Sequence, residues 1–448
     1  MNSTKPKRDR GRILTDKGWK KIWDAIYLKF DDRPTLKDIS DFTDPGINKN
    51  ATLFVSTDTI SNIVNRRAAA DKGKIESLFA AFGLRLEIDD ETSAAEVLKG
   101  STAAPAPQTR QNRTELPDVA GFCGRRDELR LLKQWIAIDR CRLVAVFGMG
   151  GIGKTALAAQ LAAQIQNDFE CVIWRSFANA PSCQDLAMAS RPASYDLIKF
   201  ICNSQGKELP SSLADGVSIL IQYLQAHRCL IVFDGVEAIL DAGGLAGKYR
   251  SGDRDYERLF QQIAESNHQS CVLLTSSEKI RDIALLEGQT RPVRSYKLTG
   301  LENNAAREIL KERGLVPEKE WDDLIECYSG HPLALRIVSA MILELFDGKT
   351  SDFLRQNTVF MGQINHVLFQ QFQRLSDWET EVMRQLATAG KPMDIAQLRA
   401  GLSAPVSTSK LMEVLESLGW RSLIEKITES GKVAFTLQPV VRKYAIDR

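Results

Sequence analysis

Residues Leu143 to Thr155 read Leu-Val-Ala-Val-Phe-Gly-Met-Gly-Gly-Ile-Gly-Lys-Thr, an apolar run that breaks into a glycine-rich loop ending in Lys154 and Thr155. Continuous hydrophobicity suits a strand buried on both faces. The spacing from Gly148 to Gly153, Lys154 and Thr155 is G-x-x-x-x-G-K-[ST], which curls backbone N–H groups around phosphate oxygens. Glycine is needed there because a side chain would block the close approach and because parts of the curl want positive φ. From Ala156 the chain runs Ala-Leu-Ala-Ala-Gln-Leu-Ala-Ala, a helix whose N-terminus faces the anion. The candidate phosphate contacts are therefore Gly148, Gly150, Gly151, Ile152, Gly153, Lys154, Thr155 and Ala156. Lys154 would reach the β- and γ-phosphates, and Thr155 would hold Mg²⁺ through its hydroxyl.

A strand, loop and helix of this kind need a sheet around them. Leu143 to Phe147, Cys171 to Trp174, Cys229 to Phe233 and Cys271 to Thr275 read as buried strands separated by helical patterns, which predicts a doubly wound parallel α/β domain over 118–298. From Leu301 the pattern turns helical, with apolar residues at three- and four-residue spacing in Asn303 to Arg313, Glu318 to Tyr328, Pro332 to Phe346 and Gln363 to Leu375. The last stretch mixes helices with a hairpin around Glu429-Ser-Gly431, as in a winged helix. Gly100 to Pro117 is small, polar and proline-bearing, too poor in apolar surface to order itself. The expectation is a multidomain α/β plus α chain: a small helical domain over 1–92, a flexible linker over 93–117, the P-loop domain over 118–298, a helical subdomain over 299–365 and a winged helix over 366–448.

The chain's 448 residues fit about three or four modules. A net charge of +2 gives no whole-chain reason to expect nucleic acid or membrane, so any such partner has to be argued locally. Eight scattered cysteines without a C-x-x-C pair favour a reducing, cytoplasmic setting, and the four histidines do not sit with them at zinc-ligand spacing. A basic, polar N-terminus and the lack of any long apolar stretch point away from secretion and membrane insertion.

Phosphoryl chemistry needs an acid at the end of a neighbouring buried strand to hold Mg²⁺, and Leu230-Ile-Val-Phe-Asp234 supplies it. Gly235 stands where many P-loop proteins place a second acid. The nearest further carboxylate, Glu237, is either a general base or a solvated loop residue, so hydrolysis, if any, is expected to be slow and the chain at most a slow ATPase. Thr275, at the end of Leu273-Leu-Thr-Ser-Ser277, is placed either to sense the γ-phosphate or to cap a turn.

Phe122-Cys-Gly-Arg-Arg-Asp-Glu-Leu129, the P-loop, Val172-Ile-Trp-Arg-Ser176, Phe233-Asp-Gly-Val236, Leu274-Thr-Ser-Ser277 and Gly330-His-Pro-Leu333 occur in the order and spacing of the NB-ARC domain. Over roughly 118–448 the chain resembles this nucleotide switch of plant resistance proteins, apoptotic protease-activating factors and bacterial STAND regulators, above all cyanobacterial forms that often carry WD repeats. The resemblance implies that Gly124 and Arg125 lie near adenine and ribose, and that Pro332 packs on the base. Two departures matter. Ser277 stands where the family usually has an arginine that reads the γ-phosphate, so that role is weakened or moved to Lys279 or Arg281. Leu437-Gln-Pro439 aligns with a Met-His-Asp motif whose histidine contacts the ADP β-phosphate; Gln438 can donate a hydrogen bond but carries no imidazolium charge.

Residues 13–92 read as helical, with Thr35 to Phe42, Ser56 to Arg67 and Lys74 to Phe82 as helices resembling the helix-turn-helix of phage-repressor-like regulators. Ile60, Ile63 and Val64 share one face of the second helix. Thr57, Ser61, Asn62, Asn65 and Arg66 share the other, and such polar tips with a trailing arginine suit base edges and phosphates. Residues 1–21 carry Lys5, Lys7, Arg8, Arg10, Arg12, Lys17, Lys20 and Lys21 against Asp9 and Asp16, a local net of +6 that is either a phosphate grip or a solubilising tail.

The reading is a STAND-type switch using ATP/ADP and Mg²⁺, homo-oligomeric on activation, presenting a module for double-stranded DNA. The alternative is a scaffold whose N-terminal module docks on a protein. A metabolic kinase is disfavoured because no substrate lid is visible. No repeat array follows the expected winged helix, so either a separate sensor protein supplies the input or the sequence is a truncated one.

Overall fold

A computed structural model describes residues 10–30, 36–64, 70–93, 110–112, 117, 119, 121–177, 193–205, 208, 210, 213–251, 253–429 and 431–447. The chain divides into two compact units, Met1–Pro107 and Gln108–Arg448.

Among the described residues the first unit has four helices, α1 (Asp16–Lys29), α2 (Leu36–Phe42), α3 (Thr57–Val64) and α4 (Lys72–Ala81), around Ile22, Ile26, Ile39, Val55, Ile60, Ile63, Ile75, Leu78 and Phe79. It also has a small antiparallel sheet, β1 (Arg10–Leu14) between β2 (Ala70–Asp71) and β3 (Glu91–Ser93), so the purely helical expectation for this unit is corrected. β2 and β3, of two and three residues, are too short for an alternating pattern to register in sequence, and Arg10-Gly-Arg-Ile-Leu14 does not alternate. The basic N-terminal stretch is likewise not a free tail from Arg10 on. Lys17 pairs with Glu87 at 3.1 Å and Lys21 with Asp90 at 2.9 Å, which spends two of its charges on the unit's own acids. The connection between α2 and α3 is held rather than loose. The buried Thr43 hydroxyl donates to the Ser40 carbonyl at 2.7 Å and accepts from the Val55 N–H at 2.9 Å.

The second unit is built on a fully parallel six-stranded sheet. Its strands are β4 (Arg110–Asn112), β5 (Leu143–Phe147), β6 (Cys171–Ser176), β7 (Cys229–Asp234), β8 (Cys271–Ser276) and β9 (Val293–Lys297), in the order β4-β6-β7-β8-β5-β9. β4 lies inside the stretch expected as an unordered linker. One face is covered by α5 (Arg126–Lys133) and α6 (Lys154–Ile165), packing Leu132, Leu157 and Leu161 onto Val144, Val146 and Leu273. The other takes α7 (Ala193–Gln205), α8 (Leu213–Ala226), α9 (Asp255–Glu265) and α10 (Arg281–Leu286), with Leu220, Phe260 and Ile283 on Ile231, Phe233 and Leu274. Burial on both faces accounts for the unbroken apolar strands, each large side chain contributing about 1.5–3 kcal/mol.

Then follow α11 (Asn303–Glu312), α12 (Trp321–Cys327), α13 (Pro332–Leu345), α14 (Thr350–Leu354), α15 (Ile364–Phe372), α16 (Asp377–Ala389), α17 (Ile395–Gly401) and α18 (Thr408–Trp420). A hairpin of β10 (Glu425–Glu429) and β11 (Lys432–Thr436) and the helix α19 (Pro439–Ile446) close the chain. One core runs from Leu301 to Tyr444 through all of these helices, and Met149 of the P-loop is part of it.

Candidate nucleotide site

The loop between β5 and α6 has the shape its glycines allow, with Gly151 at φ +76° and Gly153 at φ +100° in the left-handed region. Lys154 folds back over it, donating to the carbonyls of Gly148 at 2.9 Å and Met149 at 3.0 Å. Burial lowers the pKa of its ammonium, while Glu237 and Asp234 pull the other way.

The strand carrying Asp234 is next but one to the P-loop strand, because β8 runs between them. Thr275 on β8 closes the gap. Asp234 Oδ1 accepts from the Thr275 hydroxyl at 2.5 Å and from the Thr155 hydroxyl at 2.7 Å, and Thr275 Oγ1 in turn accepts the Gly235 N–H at 3.0 Å. Burial raises the Asp234 pKa against these two hydrogen bonds, so the carboxylate is short of positive charge. A hydroxyl and a carboxylate at the mouth of the loop are the oxygen donors Mg²⁺ takes, with phosphate and water completing its shell, so the residues present fit a Mg²⁺–nucleotide. Glu237 lies on the same rim and accepts the Ser277 N–H at 3.0 Å.

The helices after Leu301 form the lid. His331, at the N-cap of α13, accepts the Ala334 N–H on Nδ1 at 3.2 Å, and its Nε2 meets the Gly150 carbonyl at 2.9 Å. Only the neutral Nε2–H tautomer serves both partners. Burial, with Lys154 adding repulsion, holds its pKa down at about 4. A Cβ on Gly151 would come within 2.6 Å of Leu333, and one on Gly150 within 2.5 Å of Val367 on α15, so the loop glycines admit helices as well as phosphate. Pro332 is the first residue of α13, beside this contact.

Gly124 and Arg125 stand at the junction of sheet and lid. A Cβ on Gly124 would meet Ala305 at 2.3 Å. The Arg125 guanidinium is taken up by the carbonyls of Thr299 at 2.7 Å, Gly300 at 3.2 Å and Ile152 at 3.2 Å, and by Glu128 at 2.8 Å. Lys279 pairs with Glu287 and lies 5.7 Å over the ring of Phe147, Arg281 is exposed, and Gln438 is turned to Glu425, donating to it at 2.9 Å. Thr57 is exposed on α3; Ser61 and Asn62 belong to that helix, their side chains outside the described residues, as are Asn65 and Arg66 altogether.

Sequence reasoning missed a second junction. Glu278, 1% exposed, pairs with Arg374 and, at 2.6 Å, with Arg421. Arg421 also pairs with Glu379 at 3.1 Å and donates to the Gly244 carbonyl at 2.9 Å. Ser417 links Glu379 at 2.6 Å to the Ala246 N–H at 2.6 Å. A buried ionic network thus joins the end of β8 to α16 and α18.

The sequence is also similar to known proteins. Residues 125–315 match the NB-ARC domain model. Over 343 residues the chain is 42% identical to an uncharacterized WD repeat-containing protein of Nostoc sp., covering 74% of this chain and 26% of that protein. Over 211 residues it is 23% identical to a disease resistance protein of Vitis rotundifolia, covering 45% of this chain and 14% of that one. The chain therefore spans about a quarter of the first relative and a smaller part of the second. Among solved structures, a Walker-type ATPase of Pyrococcus abyssi aligns at TM-score 0.47 and 18% identity, over 76% of this chain and 99% of that one. A STAND protein with a tetratricopeptide repeat sensor from Pyrococcus horikoshii aligns at TM-score 0.35 and 19% identity, over 73% and 43%. Among the described residues no helix is long and apolar enough to cross a membrane. With its motifs in order on a parallel P-loop sheet, this chain carries an NB-ARC domain over residues 125–315.

Proposed function

We propose that the chain is a STAND-type molecular switch that binds ADP or ATP with Mg²⁺ and changes the seat of its C-terminal helices with the nucleotide. The observation that carries this is the meeting of Thr155 and Asp234, 79 residues apart, at 2.7 Å beside Lys154, under helices that His331 fastens to the same loop. Bound Mg²⁺ would neutralise phosphate charge and bridge the nucleotide to the protein. Gly148 to Ala156 would cradle the phosphates and Lys154 would leave its carbonyl partners for them. Thr155 and Asp234 would hold the ion, with Thr275 orienting Asp234. Gly124, Arg125 and Pro332 frame the base side. Glu237 would serve as the general base, and hydrolysis would be slow at most.

In this reading residues 366–448 are a winged helix that swings away on exchange of ADP for ATP, and the freed surfaces assemble into a cytoplasmic homo-oligomer. The first unit is the output module. Thr57, Ser61, Asn62, Asn65 and Arg66 would meet double-stranded DNA, clustering raising a weak affinity through effective concentration. The exposed Ile47, Leu53 and Phe54 favour a second reading in which this module docks on a protein.

Binding of fluorescent ADP and ATP with Mg²⁺ to the whole chain and to Lys154→Ala tests the switch, with light scattering for assembly. The switch requires nucleotide binding and ATP-dependent assembly, both lost in Lys154→Ala; equal binding by the variant would refute it. Duplex DNA retardation that needs Arg66 and weakens with salt decides between the output readings.

A further inference from the structure

Among the described residues two helices of the lid meet the P-loop at Gly150 and Gly151, and one of the two contacts is chemically complete. On α13, His331 has both ring nitrogens engaged. On α15, Val367 and Gln371 stand one turn apart on the same face, both against Gly150. A Cβ on Gly150 would lie 2.5 Å from Val367 Cγ1 and 3.7 Å from both Cδ and Oε1 of Gln371. Gln371 is 7% exposed, and among the described residues its buried Oε1 has no hydrogen-bond partner. An amide kept out of water without a partner destabilises the fold, and an apolar side chain of the same length would fill the place without that penalty.

We propose that Gln371 is a nucleotide-contacting residue, by which the C-terminal helices sense an occupied loop. The two ends of a carboxamide exchange by a half-turn of its last torsion, which brings Nε2–H to the side now taken by Oε1. A phosphate oxygen at the Gly150 side of the loop is an acceptor for that donor, and a hydrogen bond to a charged acceptor is among the stronger kinds. The contact would couple α15 directly to phosphate, a role Gln438 does not take here because it is turned to Glu425. The inference rests on the proposal that the loop holds a nucleoside di- or triphosphate.

The test uses the full chain with Gln371→Met and Gln371→Glu beside Lys154→Ala, titrated with fluorescent ADP–Mg²⁺ and melted with and without it. Among the described residues Gln371→Met gives up no side-chain hydrogen bond, so its melting point without nucleotide should equal or exceed that of the wild type. Its ADP affinity should fall roughly tenfold, as for one hydrogen bond to a charged group. Gln371→Glu sets a carboxylate against phosphate and should bind more weakly still. The inference is overturned if Gln371→Met binds ADP within twofold of the wild type, or if it lowers the melting point without nucleotide while leaving affinity intact. The switch proposal survives that result provided Lys154→Ala loses binding. A wild type without affinity for ADP overturns both.

Discussion

Acidification should loosen the lid through one imidazole. His331 works only as a neutral ring, with Nδ1 accepting from Ala334 and Nε2–H donating to Gly150, and protonation would remove the first bond and set a buried cation near Lys154. Its folded pKa is depressed to about 4 from 6.5, so the unfolded chain binds the extra proton between those values. Stability therefore falls as pH drops from 6.5 towards 4 and levels off below it. At pH 5 the free ring is almost wholly charged and the folded one almost wholly neutral. Linkage between the two then removes about 2 kcal/mol relative to pH 7.5. The control is His331→Asn, which keeps an acceptor for the cap, is too short for Gly150 and does not titrate. Urea unfolding of both proteins at pH 7.5 and 5, followed by circular dichroism, gives two acid losses. The wild type should lose about 2 kcal/mol more than the variant in the transition that the substitution affects. Equal losses would refute the assignment of the neutral tautomer to this contact.

Three further outcomes follow from the site. Asp234→Asn should bind nucleotide but lose most of the gain in affinity that Mg²⁺ gives, read from titrations with the ion and with a chelator; an undiminished gain would remove Asp234 from the ion's shell. Glu278→Gln leaves the buried Arg421 and the partly exposed Arg374 with one charge too few between them and should cost about 3 kcal/mol in urea unfolding, the order found for breaking buried ion pairs. A cost under about 0.5 kcal/mol, typical of unconstrained surface sites, would mean those arginines are not held by Glu278. Gly151→Ala meets both a positive φ and Leu333 and His331, and should lower the melting point and weaken ADP binding together; a variant as stable as the wild type would show that the lid does not press on the loop.

The parts of the fold that repeat a strong physical pattern were legible in the sequence. Strands β5 to β8 are buried on both faces and read as unbroken apolar runs; the P-loop and Asp234 stand at the ends of two of them. The edge strands β4 and β9 were not, because Arg110-Gln-Asn112 and Val293-Arg-Ser-Tyr-Lys297 are largely polar. His331 lies inside the Gly330-His-Pro-Leu333 motif, and its place before a proline at the start of a helix marks an N-cap, but the partner Gly150 is 181 residues away. Glu278, Arg374 and Arg421 carry no local signal at all. Charged residues read as surface until the fold brings opposite signs together. The same distance hid Gln371, whose helix was legible and whose neighbour was not.

The seam between the end of β8 and the last helices is made of ions rather than oil. Parting an apolar seam bares a surface that other molecules stick to, and closing it again competes with aggregation. Parting Glu278 and Glu379 from Arg374 and Arg421 instead lets water hydrate four charges, returning much of the desolvation that closure required. Such a joint opens without becoming adhesive and can reset many times. Because each arginine spans more than one anchor, such a joint would tend to release as a whole, and the proposed switch would then have two seats and little in between.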